Sequence, residues 1–412
     1  MKKLYSKSKL LAVLSALLIA SAMVSCEPKG SNGTDPTGQT TDYPEENYLN
    51  YVRIVSEVLE QDAFRVYAYW QGTNNLTGEE QTRLNEEECC PGIIASGYRV
   101  YLEQPESGAT IYGSQKNVIN QIIQGCIDIA TEVADAKIGE PYDAGDVYGV
   151  ESWYSFNSFT DYEDNIISIE NSLLGGPEDM RDEKLSICSL VASKSEAGKA
   201  NADNVKNLIA QAREQLSSFT EPFRDIVLRK ANGASTPAID EVRTTIQNLS
   251  AAMDEMKQFV PDDESGAQEI IDHYVQHTVI DIYKDLYDEA GKLKDLVTAY
   301  SENPTQENLN AVCSQWKTTR VPWELSEAFL YGPVANYQID PHLDSWPLSQ
   351  LNINAIMSSN LDWANEDGSS FGSNTIGFHT LEYLSFKDGA PRVITDLFAK
   401  DGYVTIENTG SY

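Results

Sequence analysis

The sequence predicts an all-α fold of two packed helical bundles, with one small irregular, β-leaning insertion at 73–113. Three observations carry that expectation. Apolar residues recur at steps of three and four along several long stretches. Helix-start and helix-stop residues bracket those stretches. Strand-type alternation is sparse outside the insertion, and helices with one apolar face bury it most simply against one another.

In chain order, Leu49, Val52, Leu59, Ala63, Val66 and Trp70 form a first helical stripe, which stops at Gly72. The next segment breaks the pattern. It holds Glu86-Glu87-Glu88-Cys89-Cys90-Pro91-Gly92 and then the β-leaning run Tyr98-Arg99-Val100-Tyr101-Leu102, which predicts one hairpin. Helical spacing returns with Val118, Ile122, Cys126, Ile129 and Val133. After a loop of Gly, Pro and Asp, the run Trp153 to Tyr162 opens a helix through Ile166, Ile169 and Leu173 to Gly175. Another stripe, Val205, Leu208, Ala212, Leu216 and Phe219, stops near Pro222. The most regular one follows Ser235-Thr236-Pro237, a cap residue with Pro at the first helical position. It reads Ile239, Val242, Ile246, Leu249, Met253, Met256, Val260, the spacing of a bundle helix. The acidic stretch Pro261 to Gly266 ends it and marks the main seam, between helical regions 46–265 and 266–412. A long helix from Ile270 to about Tyr300 follows, then one from Thr305 to Phe329 that Pro322 should kink.

The first residues read as an address. Lys2, Lys3, Lys7 and Lys9 precede an apolar run from Leu10 to Val24, about right for a signal-peptide core and too short to span a bilayer. The run ends at Met23-Val24-Ser25-Cys26, which resembles a bacterial lipobox. Residues 1–25 are then a removed signal peptide and Cys26 a lipidated anchor rather than a catalyst. Residues 26–45 are rich in Pro, Gly, Ser, Thr and Asp and predict a flexible tether. The expected location is the cell envelope, lipid-anchored outside the cytoplasm, on the periplasmic face or the surface of the outer membrane. Losing four lysines and no acids lowers the formal charge from −33 to −37. Such a field repels nucleic acid and draws cations toward any cleft, although a solubilising surface alone accounts for much of it. Cys89, Cys90, Cys126, Cys188 and Cys313 form no CxxC pair or Cys/His cluster, so neither a zinc knuckle nor a disulfide framework is expected.

Two stretches carry candidate chemistry. Gly377-Phe378-His379-Thr380-Leu381-Glu382-Tyr383-Leu384-Ser385-Phe386 places an imidazole and a carboxylate three residues apart, hence on one helix face, with Leu381, Leu384 and Phe386 available to bury the other. The pair could share a proton or a cation. Two ligands do not complete a metal shell, and a plain His–Glu ion pair explains the spacing as well. Around Pro322 stand Trp316, Arg320, Trp323, Glu324, Glu327 and Phe329, followed by Asp340, Asp344 and Trp346. Arg320 and Glu324 are four apart, which suggests an exposed ion pair, and each Trp taken alone suggests core. His273 and His277 are also four apart, but without the HExxH glutamate they read as a bundle seam. His342 lies in the Asp340 to Trp346 loop and could approach a cleft there, though nothing in the spacing demands it.

The ordered run Trp316, Arg320, Pro322, Glu324, Ser326-Glu327-Ala328-Phe329, Gly332-Pro333, Asp340 and Asp344-Ser345-Trp346-Pro347, then Gly377, His379 and Glu382, resembles the imelysin (peptidase M75) family with its GxHxxE signature. The segments at Tyr48 to Gly72, Ser155 to Gly175 and Glu221-Pro222-Phe223 resemble parts that usually follow that signature, so the chain reads as circularly permuted. The resemblance implies an extracytoplasmic two-domain helical protein linked to iron uptake, with a cleft between the domains. It carries over Gly377, His379 and Glu382 directly, with His379 and Glu382 as metal ligands. Arg320, Glu324, Glu327, Asp344, Trp346, Ser155, Asn157 and Asp161 are then expected to line the same cleft. Iron is the expected cofactor, and iron-transport components and a membrane, through the anchor, are the expected partners. Two alternatives stay open: a metallopeptidase with Glu382 as general base, and a metal-free surface module that binds haem, glycan or protein on a Trp-rich cleft.

Overall fold

The computed structural model describes residues 39–107, 111–262 and 266–408. The predicted signal peptide, Cys26, most of the tether and the middle of the acidic seam lie outside the described residues.

Two groups of helices make up the body. One group is Glu45–Gln71, Asp281–Glu302, Gln306–Glu324 and the shorter Gly377–Ser385. The other is Gln115–Thr131, Ser158–Leu174, Glu196–Ser217 and Pro237–Met256. The sequence starts four of these eight helices by the expected chemistry. The hydroxyls of Ser114, Ser195 and Thr305 accept from the backbone N–H three residues on, and Pro237 opens its helix in the first turn. The apolar stripes are buried as spaced: Ile239, Val242, Ile246, Leu249, Met253 and Met256 have no exposed surface. Although Glu45–Gln71 comes first in the chain, it packs along Asp281–Glu302 from the other end of the sequence. The two groups meet closely at Gly125, where a Cβ would sit 2.1 Å from the Ala328 carbonyl oxygen.

Several expectations are corrected. The insertion contains no strand among its described residues; it holds a helix at Gly78–Glu87 and a helical turn at Arg99–Glu103. Thr77 and Glu80 form a capping box that starts the first of these. The aromatics of the supposed hairpin serve as a plug instead, with the Tyr98 ring 5.0 Å from Trp70 and 5.0 Å from Tyr101. The strands lie elsewhere. Gln39–Pro44, assigned from composition to the tether, pairs antiparallel with Tyr403–Asn408, and Phe386–Lys387 pairs with Ala390–Pro391. Tyr43, Val404 and Ile406 bury one face of the first ribbon. The long helix from Ala267 to Glu302 is continuous, with π-helical hydrogen bonding at Tyr274–Ile280, and a second π segment, Glu132–Lys137, extends Gln115–Thr131. The helix containing Pro322 ends at Glu324, and the chain tightens to a 3-10 turn at Glu327–Phe329 rather than running on as α-helix.

Candidate functional site

The Gly377–Ser385 helix is buried on every side, so its polar side chains find protein partners or none. Gly377 has φ +80°, and a Cβ there would lie 2.4 Å from the Leu343 carbonyl oxygen. The helix therefore starts hard against the turn that carries Asp344. One turn on, His379 Nδ1 lies 3.0 Å from Glu382 Oε2. The other Glu382 oxygen accepts hydrogen bonds from Tyr154 N (2.9 Å), Ser155 N (2.8 Å) and Ser155 Oγ (2.7 Å). A carboxylate held this way fixes the imidazole ring and its tautomer. His379 Nε2 then faces Asp344 Oδ1 at 3.0 Å and Glu151 Oε1 at 3.5 Å. Ligand atoms of these three residues all lie within 4.8 Å of one another.

Around this cluster stands a buried cationic frame. Arg320, with no exposed side-chain surface, contacts Asp344 Oδ1, reaches Glu324 Oε1 at 2.5 Å and Glu151 Oε1 at 2.9 Å, and has Asp161 Oδ2 at 3.6 Å. Asp161 also takes hydrogen bonds from Ser152 Oγ and from Asn157 Nδ2 (2.6 Å), and Glu324 takes one from Asn165 Nδ2 (2.5 Å). Trp323 Nε1 donates to Asp344 Oδ2 at 2.7 Å. Lys137, at the end of the π segment, sits 3.3 Å from Glu151 Oε2 and 3.9 Å from Glu327 Oε1. Beyond Glu151 and Asp344 a cleft of about 390 Å³ opens, lined also by Glu132, Glu140, Asp146, Glu327, Asp340 and Trp346. Among its described lining residues Lys137 is the only base.

The electrostatics follow from that packing. Burial opposes a charged imidazole, but Asp344, Glu151 and Glu382 outweigh it and hold His379 well above the usual histidine range. Burial also works against ionised Asp344 and Glu151, yet Arg320 and His379 keep Asp344 well below the carboxylate range, while Lys137, His379 and Arg320 hold Glu151 near about 2. Burial prevails for Glu324 and Glu327, which lie well above their ordinary value, and brings Asp161 up to about 6 and Asp340 to about 7. The cluster thus combines inner acids that ionise readily with outer acids that hold their protons to higher pH than usual.

Of the residues expected to line the cleft, Glu327, Asp344 and Trp346 do, whereas Arg320, Glu324, Ser155, Asn157 and Asp161 are buried in the network around the His379 cluster and are not in the lining. Ser155 holds Glu382, Asn157 holds Asp161, Trp346 packs its ring 4.8 Å from His379 and lines the cleft, and Glu327 lines it too. Arg320 and Glu324 are not the exposed ion pair their spacing suggested: both side chains are fully buried, because the helix face they share looks into the junction between the two groups. Trp316 and Trp323 are core, so Trp346 is the one of the three that reaches the cleft. His342 stays on the outside near Asp62 (3.4 Å), and His273 and His277 are taken by the Gly175 carbonyl and Asp281. Glu151 and Lys137 were missed. The signals were faint: an acid two residues before the aromatic Trp153-Tyr154 run, and a lone lysine between acids at a helix end.

The donor set suits a metal ion. An imidazole nitrogen with its other nitrogen pinned by a carboxylate, beside two carboxylate oxygens, is a set that iron, zinc and manganese accept. Two donors bound at about 2.1 Å to one ion are about 3.0–3.4 Å apart, close to the spacing His379 Nε2 already keeps to its two neighbours. Arg320 already contacts both carboxylates, whereas buried Nε2 has no hydrogen-bond partner among the described residues, so an ion would meet an unpartnered nitrogen and displace any proton it carries.

Fold and site together define an all-helical protein whose two helix groups close over a buried His–carboxylate cluster at the floor of an acidic cleft. The imelysin (peptidase M75) family model matches residues 29–258 and 279–405, and the chain belongs to that family. It is similar to the crystal structure of an imelysin peptidase from Bacteroides ovatus, with TM-score 0.73 and 29% identity over 87% of this chain and 99% of that one. It is also similar to Iron-regulated protein A of Synechococcus elongatus, 27% identical over 121 residues, which are 29% of this chain and 32% of that protein. The match therefore spans about a third of that relative's length.

Proposed function

We propose that this imelysin is a cell-envelope protein, lipid-anchored through Cys26 outside the cytoplasm, that binds an iron cation at His379, Glu151 and Asp344 in the service of iron acquisition. The observation that carries the reading is His379 itself: Nδ1 is engaged by Glu382, and buried Nε2 is turned onto two carboxylates at 3.0 and 3.5 Å. The family and a relative described as iron-regulated support an iron-related role. A bound ion would supply positive charge to a cluster in which carboxylates outnumber Arg320 and Lys137. The chain's own groups do the rest. Glu382 and Ser155 aim the imidazole, Trp323 and Arg320 hold Asp344, and the acid-lined cleft concentrates cations at the entrance. Relative to the sequence reading, the ligand set gains Glu151 and Asp344, and Glu382 moves from ligand to the group that orients the ligand.

The permuted chain order belongs to the same reading. Its support is that the stretch with Ser155 and Asp161 and the stretch with His379 build one site, while the matched segments break at 258–279 around the acidic seam. A peptidase reading needs a free base beside the ion. Glu382 already accepts three hydrogen bonds on one oxygen and pins His379 with the other.

Calorimetric titration with ferrous, ferric and zinc ions tests the proposal. His379→Ala and Glu151→Gln should weaken binding by at least about 100-fold, and Glu382→Gln by about 10–100-fold, as loss of a ligand's orienting partner does. Heats measured in buffers of different ionisation enthalpy should reveal a proton released on binding. Superimposable curves for wild type and His379→Ala would remove the idea.

A further inference from the structure

Away from the His379 cluster, the chain brings two adjacent free thiols together. Cys89 and Cys90 follow the Gly78–Glu87 helix directly, where Glu88 takes a left-handed conformation (φ 49°) and turns the chain. Neighbouring side chains usually diverge, yet here the two sulfurs converge to 3.7 Å. Both thiols are free; Cys89 is half-buried, while Cys90 is 5% exposed. Arg83 and Arg65 stand near the pair and favour thiolate, although each already has carboxylate partners, Glu60 and Glu87 for Arg83 and Asp62 for Arg65. The loop is held in place behind them, with Tyr69 Oη donating to the Pro91 carbonyl at 3.0 Å and the Tyr69 ring stacked on Tyr337. The hydrogen bond between the thiols, the largest influence on both, lowers Cys89 and raises Cys90, so Cys89 is the thiol that gives up its proton first.

Two fates compete for such a pair, and geometry separates them. A disulfide normally needs Cα atoms about 4.4–6.8 Å apart, whereas adjacent residues across a trans peptide are held at about 3.8 Å, so the closed ring would be strained and readily reduced. Two thiolates sharing a tetrahedral cation at about 2.3 Å per bond are about 3.7–3.8 Å apart, so chelation asks for almost no movement of these sulfurs. We propose that Cys89 and Cys90 form a dithiolate site for a soft, thiophilic cation of the Zn²⁺, Cd²⁺ or Cu⁺ class, with the exposed side of Cys89 left open to water or a small donor. Binding forms two metal–sulfur bonds and releases the protons the two thiols still hold; no electron moves. The site is chemically distinct from the His379 cluster, whose oxygen donors suit harder ions.

The test is titration of the fully reduced protein with cadmium ion alone, read by thiolate-to-metal charge-transfer absorption and by mass mapping of alkylated cysteines. The charge-transfer band is expected to saturate at one ion per chain, whatever the His379 cluster takes up, with Cys89 and Cys90 both protected from alkylation. Cys89→Ser and Cys90→Ser should each weaken binding by at least about tenfold, since one metal–thiolate bond is lost, and His379→Ala should leave the band unchanged. Should Cys90→Ser fail to fold, the half-buried Cys89→Ser decides alone. A band and protection that survive Cys89→Ser overturn the proposal, as does closure of the pair to a disulfide with no ion taken up.

Discussion

A single guanidinium illustrates how much hangs on one residue. Arg320 has no exposed side-chain surface and faces Glu151, Asp161, Glu324 and Asp344. Removing one member of a buried charge network leaves the rest uncompensated, so Arg320→Met should destabilise the fold by about 3–5 kcal/mol in chemical denaturation. Arg320→Lys should recover little of that, because a single ammonium cannot reproduce the fork that meets Asp344 and Glu324 together. Equal stability of wild type and Arg320→Met would mean that the frame is not what holds the junction. His379 and Glu382 were legible at this scale because their spacing is local. Glu151 was not, because nothing near it in sequence says that it comes within 3.5 Å of a residue more than two hundred positions away.

Among the elements, the Gly377–Ser385 helix is the most constrained. Its first residue needs φ +80° and has the Leu343 carbonyl where a Cβ would go, so Gly377→Ala should cost more than about 2 kcal/mol and shift the entry to His379. Thermal denaturation and metal titration of that variant should worsen together; a variant that lost stability yet titrated as wild type would separate helix placement from the site. The elements readable from sequence were those with a long apolar period, above all Pro237–Met256 and Asp281–Glu302. Those misread were short. The run at Tyr98–Leu102 has β-type residues but packs half-buried as an aromatic plug, and the strand Gln39–Pro44 has a tether's composition because only one of its faces is covered. Pairing with Tyr403–Asn408, from the far end of the chain, is what makes it a strand.

For the molecule as a whole, the buried acids set a pH dependence whose sign can be worked out. Asp161, raised by burial to about 6, and Asp340, raised by burial and by Asp344 to about 7, keep protons in the folded state that the unfolded chain releases near its ordinary value of 3.8. Stability from these groups is present at low pH and lost as pH rises through 6 and 7. His379, raised, has the same sign, fully present below its ordinary 6.5 and lost as pH climbs through its folded value. Glu151, despite burial, is held by Lys137 and His379 near about 2, so its contribution is present above 4.5 and lost as pH falls toward 2. The melting temperature at low salt should therefore peak near about pH 5 and fall by pH 8. Ferrous or zinc ion at about 100 times its Kd should return about 2.7 kcal/mol at pH 8. A flat profile from pH 5 to 8 would contradict the ionisation pattern, and a metal-insensitive one the cation site.

The scattered origin of the acids around Arg320 has a bearing on biogenesis. Glu151 and Asp161 come from one stretch, Arg320, Glu324 and Asp344 from a later one and His379 from near the C-terminus, so the constellation is complete only once the chain has passed His379 and both groups of helices have docked. Ion capture would then act as a maturation checkpoint, closed to a nascent or half-assembled polypeptide and open only to the finished one.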